Sequence, residues 1–297
     1  MAEFMKKIRR NIRLVIQFAF FAVTNGYLKG FTDGGIYKGK LKMFCVPGLN
    51  CYSCPGAVGS CPIGSLQATL SSREYKFAFY VLGILMFFGA CSGRFICGFL
   101  CPFGLVQDLL YKIPFFKKFK NMPGDKYLKW LKYVILAVFV VLLPMFAVDI
   151  TGLGKPWFCE YICPSGTLLA GIPLVLTNES LRGAIGFLYA WKVAILIVII
   201  LLSVVFYRPF CKYLCPLGAF YGFFNPVSLY RFTVDSQKCT SCGACKAKCG
   251  MDIPVWKKPN SADCIRCGDC IKICPEEAIS IVKLAKKNEK NINESGE

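Results

Sequence analysis

One pattern, R-x2-C-x3-C-P-x-G, occurs twice in this chain and each time directly follows a long apolar run. It reads R-F-I-C-G-F-L-C-P-F-G at residues 94–104 and R-P-F-C-K-Y-L-C-P-L-G at residues 208–218. Looser copies of its core, Cys-Pro-x-Gly, stand at residues 61–64 and 163–166. A pattern that recurs in the same position relative to apolar runs indicates an internal repeat.

The composition indicates a membrane protein, because 55% of the 297 residues are hydrophobic and the mean hydropathy of +0.50 exceeds what a soluble domain needs. Apolar runs at residues 14–28, 77–93, 130–150 and 184–207 predict four membrane helices. Each can cross a hydrocarbon layer of roughly 30 Å, or nearly so where a short run thins the layer locally. The basic start of the first run also fits a signal peptide, but no A-x-A-like cleavage site follows it.

The distribution of Lys and Arg predicts the orientation. The N-terminal segment carries five, residues 93–132 carry eight, and residues 151–190 carry only Lys155 and Arg182. Since basic residues favour the cytoplasmic side, we expect a multi-pass protein of the cytoplasmic membrane with the N-terminus inside. Four spans then return the C-terminus to the same side, although the first outer loop is more basic than this rule favours.

The predicted domains follow from these changes in composition. Residues 1–226 form a helical membrane domain of two repeat halves, about 12–114 and 129–226, in which short half-helices accompany the spans. Residues 227–234 read as a short linker or strand, and residues 235–282 are polar and rich in cysteine. Residues 283–297, rich in Lys, Asn and Glu, read as a disordered tail.

Several classes of site are excluded by what the sequence lacks. The chain has 19 cysteines and no histidine, so His-ligated haem, Cys/His zinc sites and two-histidine iron sites are excluded. No C-x-x-C-H motif occurs, which excludes c-type haem. The formal charge of +19 arises beside the apolar runs and is accompanied by no nucleic-acid-binding motif, so we expect no nucleic-acid partner.

The cysteine-rich segment carries the most specific pattern of the chain. It contains C-x2-C-x2-C-x3-C twice, the second run ending in C-P, and this spacing is typical of a two-cluster ferredoxin of α+β fold. In that arrangement the fourth cysteine of each run binds the other [4Fe-4S] cluster. Gly250 replaces the proline expected after the first run, and a zinc-bound scaffold remains the alternative. The predicted ligands are Cys239, Cys242, Cys245 and Cys274 for the first ferredoxin site, and Cys264, Cys267, Cys270 and Cys249 for the second.

The repeated motifs predict a further cluster at the cytoplasmic end of the membrane domain. Cysteines four apart share a face of a helix, and a proline after the second cysteine suits the first position of a new helix. Positive helix ends, with Arg94 and Arg208, would stabilise an anionic cluster. We define the inner site as the four cysteines of the two full motifs, Cys97, Cys101, Cys211 and Cys215.

The looser motifs predict an outer site, but they leave one of its four ligands open. Its proposed ligands are Cys54, Cys61, Cys159 and Cys163, with Cys51 as the substitute for Cys54. The ambiguity arises because Ala57 stands where the repeat would place a cysteine four residues before Cys61. A disulfide such as Cys51 to Cys61 is an alternative, as is simple packing of cysteine between helices. Packing is the favoured interpretation of Cys91, and Cys45 has no assigned role.

Three polar residues near apolar runs have two interpretations. Gln107, Asp108 and Asp149 could mark a proton or quinone site at membrane depth, or could simply be solvated at an interface.

The motifs after membrane spans, followed by two ferredoxin runs, resemble those of the membrane polyferredoxins of the NapH/NosR type. The resemblance covers about residues 77–282. It implies a subunit that passes electrons between a quinol pool or cytoplasmic donor and a partner oxidoreductase. Redox sensing or metal-centre assembly is the alternative function. No flavin-attachment domain, G-x-G-x-x-G or P-loop is present, so no catalytic residue or substrate site is assigned.

Overall fold

The computed structural model describes residues 2–71, 75–114, 117–147, 154–183 and 185–282, with the backbone alone at 2–11 and 75–78. The polar residue Asp149 and the tail predicted at 283–297 lie outside these residues. The described chain is mostly helical and has one two-stranded sheet.

The α-helices of the membrane domain follow one another with short connections. They are α1 (Ala2–Thr24), α2 (Lys29–Thr32), α3 (Pro62–Ser71), α4 (Tyr75–Ser92), α5 (Phe95–Phe99), α6 (Pro102–Tyr111), α7 (Asp125–Ile135), α8 (Leu143–Phe146), α9 (Pro164–Gly166), α10 (Ile172–Thr177), α11 (Glu179–Gly183), α12 (Phe187–Val205), α13 (Pro209–Tyr213) and α14 (Pro216–Phe224). Wider π-helical turns occupy Leu136–Leu142, Phe158–Ile162 and Thr167–Gly171, and a 3₁₀ turn occupies Lys40–Met43.

Two described helical segments are long and apolar enough to cross a membrane. They are Asp125–Phe146, with 22 residues and a mean hydropathy of 2.0, and Phe187–Val205, with 19 residues and a mean hydropathy of 2.6. Shorter apolar helices occupy Ile12–Thr24, Phe79–Ser92 and Pro164–Thr177. The predicted runs at 14–28 and 77–93 lie largely on α1 and α4.

In each of the four Cys-Pro-x-Gly motifs the proline begins a helix, as the sequence predicts. Pro62, Pro102, Pro164 and Pro216 are the first residues of α3, α6, α9 and α14. Proline suits this position because its missing N–H would have no helical partner there. The expectation that paired cysteines share one helix face is wrong, however, since Cys97 lies in α5 and Cys101 lies beyond its end, as the N-cap of α6.

The cysteine-rich segment is closed by two short antiparallel strands, β1 (Phe232–Val234) and β2 (Ile279–Ile281). Phe232 pairs with Ile281 and Val234 pairs with Ile279, so the two ends of the segment are held together. Two helices, α15 (Ala244–Lys248) and α16 (Asp269–Ile273), lie between the strands. The last three residues of the predicted 227–234 linker thus form a strand of this module.

Candidate metal centres

The structure brings the two sets of ferredoxin cysteines together as two separate groups. One small cavity is lined by Cys239, Cys242, Cys245 and Cys274. A second is lined by Cys249, Cys264, Cys267 and Cys270. In both groups the fourth cysteine comes from the other run of the sequence.

Helices α15 and α16 account for this exchange. Cys245 lies at the start of α15 and Cys249 directly follows its end, while Cys270 lies at the start of α16 and Cys274 directly follows its end. Each five-residue helix therefore carries one cysteine of each group. The two helices pack against each other, which sets the two groups side by side.

The four cysteines of the inner site are all buried, at 4–6% exposure, where α5, α6, α13 and α14 meet. Burial raises the pKa of the Cys101 thiol to about 12, and burial also raises the pKa of Cys211 and of Cys215. The negative charge of each thiolate reaches the others of the group, which raises these pKa values further. A cluster of buried thiols suits a cationic metal centre, which binds thiolates and displaces their protons.

Each of the two motif arginines contacts the opposite half of the repeat. Arg94 of the first half donates to the carbonyl of Cys211 at 2.8 Å, and Arg208 of the second half donates to the carbonyl of Cys97 at 2.5 Å. Both side chains are fully buried. Each half thus supplies the arginine that supports the first motif cysteine of the other half.

Arg94 also connects the inner site to the ferredoxin module. Its guanidinium donates to the carbonyl of Ala262 at 2.9 Å and lies 3.6 Å from the carboxylate of Asp263. Its backbone N–H donates to Asn225 Oδ1 at 2.9 Å, and the Asn225 amide in turn donates to the carbonyl of Cys264 at 2.9 Å. The second ferredoxin group is therefore held against the inner site by a short chain of hydrogen bonds.

At the outer site, four of the five candidate cysteines line one cavity of about 690 Å³. These four are Cys51, Cys61, Cys159 and Cys163. The remaining candidate, Cys54, is buried with Ala57 and Ala170 and lies 3.6 Å from Asn25 Oδ1. Cys51, and not Cys54, therefore lines the outer cavity together with the other three cysteines. None of the 19 cysteines, Cys51 and Cys61 included, forms a disulfide.

Two glycines of the Cys-Pro-x-Gly motifs leave room beside these sulfurs. A Cβ at Gly64 would lie 3.7 Å from Cys159 Sγ, and a Cβ at Gly166 would lie 3.6 Å from Cys51 Sγ. At the inner site the buried Arg94 Nε has no hydrogen-bond partner among the described residues. The space beside the thiols of the outer site fits a bound iron-sulfur group, and the unused N–H donor at the inner site fits an anionic one. No three Cys, Asp or Glu side chains of the described chain lie close enough to share a single metal ion, as a zinc site would require.

The polar pair Gln107 and Asp108 is buried rather than solvated. Asp108 accepts two hydrogen bonds from Arg208, at 2.7 and 2.5 Å, and also contacts Arg13 and Gln17. Burial alone would raise the pKa of Asp108, but Arg208 and Arg13 hold it below its ordinary value. Its carboxylate therefore neutralises the Arg208 guanidinium and holds it next to the inner site, where Arg208 donates to the carbonyl of Cys97.

The glycine that replaces the expected proline has a packing partner. A Cβ at Gly250 would lie 2.6 Å from the ring of Tyr207, which follows α12. The Tyr207 hydroxyl accepts a hydrogen bond from Arg13 at 3.1 Å, so the ring is anchored in the membrane domain. This contact explains why the residue after Cys249 is small.

We expect Gly250→Ala to disturb the second ferredoxin site. The added methyl group collides with the Tyr207 ring, and overpacking of this kind costs about 1–3 kcal/mol. Thermal unfolding and the electron paramagnetic resonance (EPR) spectrum of the reduced protein would measure the effect. Tyr207→Leu in the same chain should restore both. Equal effects of Gly250→Ala with and without Tyr207→Leu would contradict this explanation.

Comparison with known proteins identifies 4Fe-4S binding domains in this chain. A family described as a 4Fe-4S binding domain matches residues 77–123, 135–175 and 189–232, and a second family of that description matches residues 258–280. An uncharacterized protein of Methanocaldococcus jannaschii is 32% identical over 66% of this chain and 74% of its own length. The ferredoxin-type protein NapH of Haemophilus influenzae is 27% identical over 70% of each chain.

Other relatives carry similar descriptions. The methylamine utilization ferredoxin-type protein MauN of Paracoccus denitrificans is 28% identical over 62% of this chain and 59% of its own length. No solved structure matches the chain. The family matches are repeated 4Fe-4S segments, and the named relatives are ferredoxin-type proteins. The structure adds apolar helices that are long enough to cross a membrane. The chain therefore belongs to the membrane polyferredoxins of the NapH/NosR type, which are iron-sulfur electron-transfer proteins.

Proposed function

We propose that this chain carries single electrons between the ferredoxin module and the outer face of a membrane through four [4Fe-4S] clusters. The ligands are the two ferredoxin groups, the inner site, and an outer site made of Cys51, Cys61, Cys159 and Cys163. A thiolate-bound cluster exchanges single electrons without forming bonds to a substrate. The protein therefore requires a redox partner at each end.

The observation that carries the proposal is the bridge through Arg94. One guanidinium donates both to the carbonyl of the inner-site residue Cys211 and to Ala262, two residues before Cys264 of the second ferredoxin group. Lys132 makes a further contact with Asp263 in the same segment. Such contacts hold the module in one position on the membrane domain, as efficient electron transfer between two fixed sites requires.

A second bridge supports a path from the inner site to the outer one. The backbone N–H of Leu49 donates to the Cys101 thiol, and Leu49 also lines the outer cavity. Cys51 stands only two residues further along the chain. Buried Tyr221 fixes the start of this segment, because its hydroxyl donates to the carbonyl of Pro47 at 3.0 Å.

The proposed setting is a multi-pass protein of the cytoplasmic membrane with both termini in the cytoplasm. The ferredoxin module then faces cytoplasmic donors or acceptors, and exposed Cys242 marks the first ferredoxin group as their entry point. The outer site would face a quinone or a membrane or extracytoplasmic oxidoreductase. The names of relatives such as NapH and MauN, described as ferredoxin-type proteins, support an electron-transfer role.

We expect anaerobically purified protein to contain about sixteen iron atoms, because four cubic clusters hold four each. Cys51→Ser should lower the content to about twelve by removing the outer cluster, whereas Cys54→Ser, the matched control, should leave about sixteen. Iron and sulfide analysis measures both. A content of about eight in the unaltered protein would restrict the clusters to the ferredoxin module and overturn the proposal.

A further inference from the structure

Two glutamines occupy the same place after the two first-half Cys-Pro motifs. Gln67 and Gln107 each lie six residues after a cysteine, in C-P-I-G-S-L-Q and C-P-F-G-L-V-Q. They lie in α3 and α6, and both side chains are fully buried. Buried glutamine is uncommon, and two equivalent instances in one chain require a common explanation.

Both amides donate to a cysteine sulfur of the opposite half. Gln107 Nε2 lies 3.1 Å from Cys211 Sγ at the inner site, and Gln67 Nε2 lies 3.3 Å from Cys159 Sγ at the outer site. Each amide nitrogen also donates to the carbonyl four residues back in its own helix, Phe103 at 3.4 Å and Ile63 at 3.3 Å. One N–H of each amide thus orients the group, and the other is directed at sulfur.

The orientation of the Gln67 amide is independently fixed. Its Oε1 accepts the backbone N–H of Phe158 at 3.0 Å, so the nitrogen and not the oxygen must face Cys159. Phe158 is the neighbour of Cys159 in the chain, which ties the amide to the segment that carries the sulfur. The Gln67 amide nitrogen is therefore held in place as a hydrogen-bond donor to Cys159.

The second-half motifs have no equivalent. Leu169 and Tyr221 stand six residues after Cys163 and Cys215, and the Tyr221 hydroxyl donates to the carbonyl of Pro47 instead. At each membrane site, therefore, one glutamine amide donates to the first cysteine of the second-half pair. This cysteine is Cys211 at the inner site and Cys159 at the outer site.

We propose that Gln107 and Gln67 are positioning residues that set the reduction potentials of the inner and outer clusters, respectively. The inference rests on the proposed function, since it requires both clusters. Reduction adds negative charge to an already anionic group, and an N–H donor to its sulfur stabilises the reduced state more than the oxidised state. In a buried site of low dielectric constant the effect is larger than in water. Both amides therefore raise the potentials of their own clusters.

The test replaces each glutamine by methionine, which has similar length and no N–H. Gln107→Met should lower the potential of the inner cluster alone, and Gln67→Met that of the outer cluster alone. We expect the ratio of oxidised to reduced cluster at a fixed ambient potential to rise about tenfold, which is ~59 mV for a one-electron couple. Redox titration followed by EPR measures the four potentials, and each variant is the matched control for the other.

A second measurement uses the unaltered protein. With ¹⁵N in the glutamine side-chain amides, pulsed EPR of the reduced protein should detect coupling of ¹⁵N to both membrane clusters and lose one coupling in each variant. Full iron content with unchanged potentials or without ¹⁵N coupling would overturn this inference and leave the proposed function intact. An iron content of about eight would overturn both.

Discussion

Cys211→Ser combined with Cys215→Ser is expected to remove about four of about sixteen iron atoms and to abolish the EPR signal of the inner cluster. The two cysteines belong to α13 and the N-cap of α14, and they face Cys97 and Cys101 of the first half. Two remaining thiolates cannot hold a cluster that needs four. Because the ferredoxin ligands lie in other segments, both ferredoxin signals should persist.

Electron passage across the protein should fail in the same variant. The ferredoxin clusters should still accept electrons from a soluble reductant, but the outer cluster should no longer follow them in rapid-mixing experiments. Cys91→Ser is the matched control, since Cys91 lies in α4 outside all four cysteine groups and should retain full iron and rapid transfer. An iron content of the double variant equal to that of Cys91→Ser would show that the inner site binds no cluster.

The largest expected effect on stability comes from Asp108→Leu. This change leaves the guanidinium groups of Arg208 and Arg13 without their shared carboxylate, and Arg208 is fully buried. Removing one partner of a buried ion pair typically costs about 3–5 kcal/mol. Thermal unfolding in detergent should show a clear loss, whereas Lys246→Ala, which removes the exposed pair with Asp252, should cost at most about 1 kcal/mol.

The same carboxylate predicts a dependence on pH. The pKa of Asp108 in the folded protein lies below its ordinary value of 3.8, so its contribution to stability is present above that value and is lost as the pH falls through the lowered pKa. Unfolding midpoints measured from pH 6 downwards should therefore converge for the parent and Asp108→Leu in strong acid. If Asp108→Leu and Lys246→Ala were equally stable at neutral pH, the buried network would not be structural.

The sequence predicted the groupings that depend on local spacing. In each ferredoxin run the fourth cysteine follows a short helix. The spacing itself therefore predicts that Cys249 and Cys274 each join the group of the other run. The Cys-Pro starts of α6 and α14 also follow from local rules. The choice between Cys51 and Cys54 did not, because it depends on how residues 50–60 pack against the distant segment that carries Cys159.

The features that the sequence missed are contacts between distant residues. Tyr207 against Gly250 joins two segments that no local pattern relates. The glutamines had a detectable signal, since C-P-x-G-x-x-Q recurs in the first half, but their target sulfurs lie in the second half. Asp108 was expected to be either solvated or functional, and only its distance to Arg208 shows that it is a structural counter-charge.

The exchange of arginines between the halves also constrains biosynthesis. Arg94 lies 117 residues before Cys211, whose carbonyl it binds, and Arg208 reaches back to Cys97 over 111 residues. A ribosome that has completed only the first half has made Arg94 without its partner, and a buried charge without a partner is costly. The first half therefore cannot reach its final structure during synthesis. Iron insertion at the inner site must follow translation of the second motif, so that a chain interrupted between the halves would remain without this cluster.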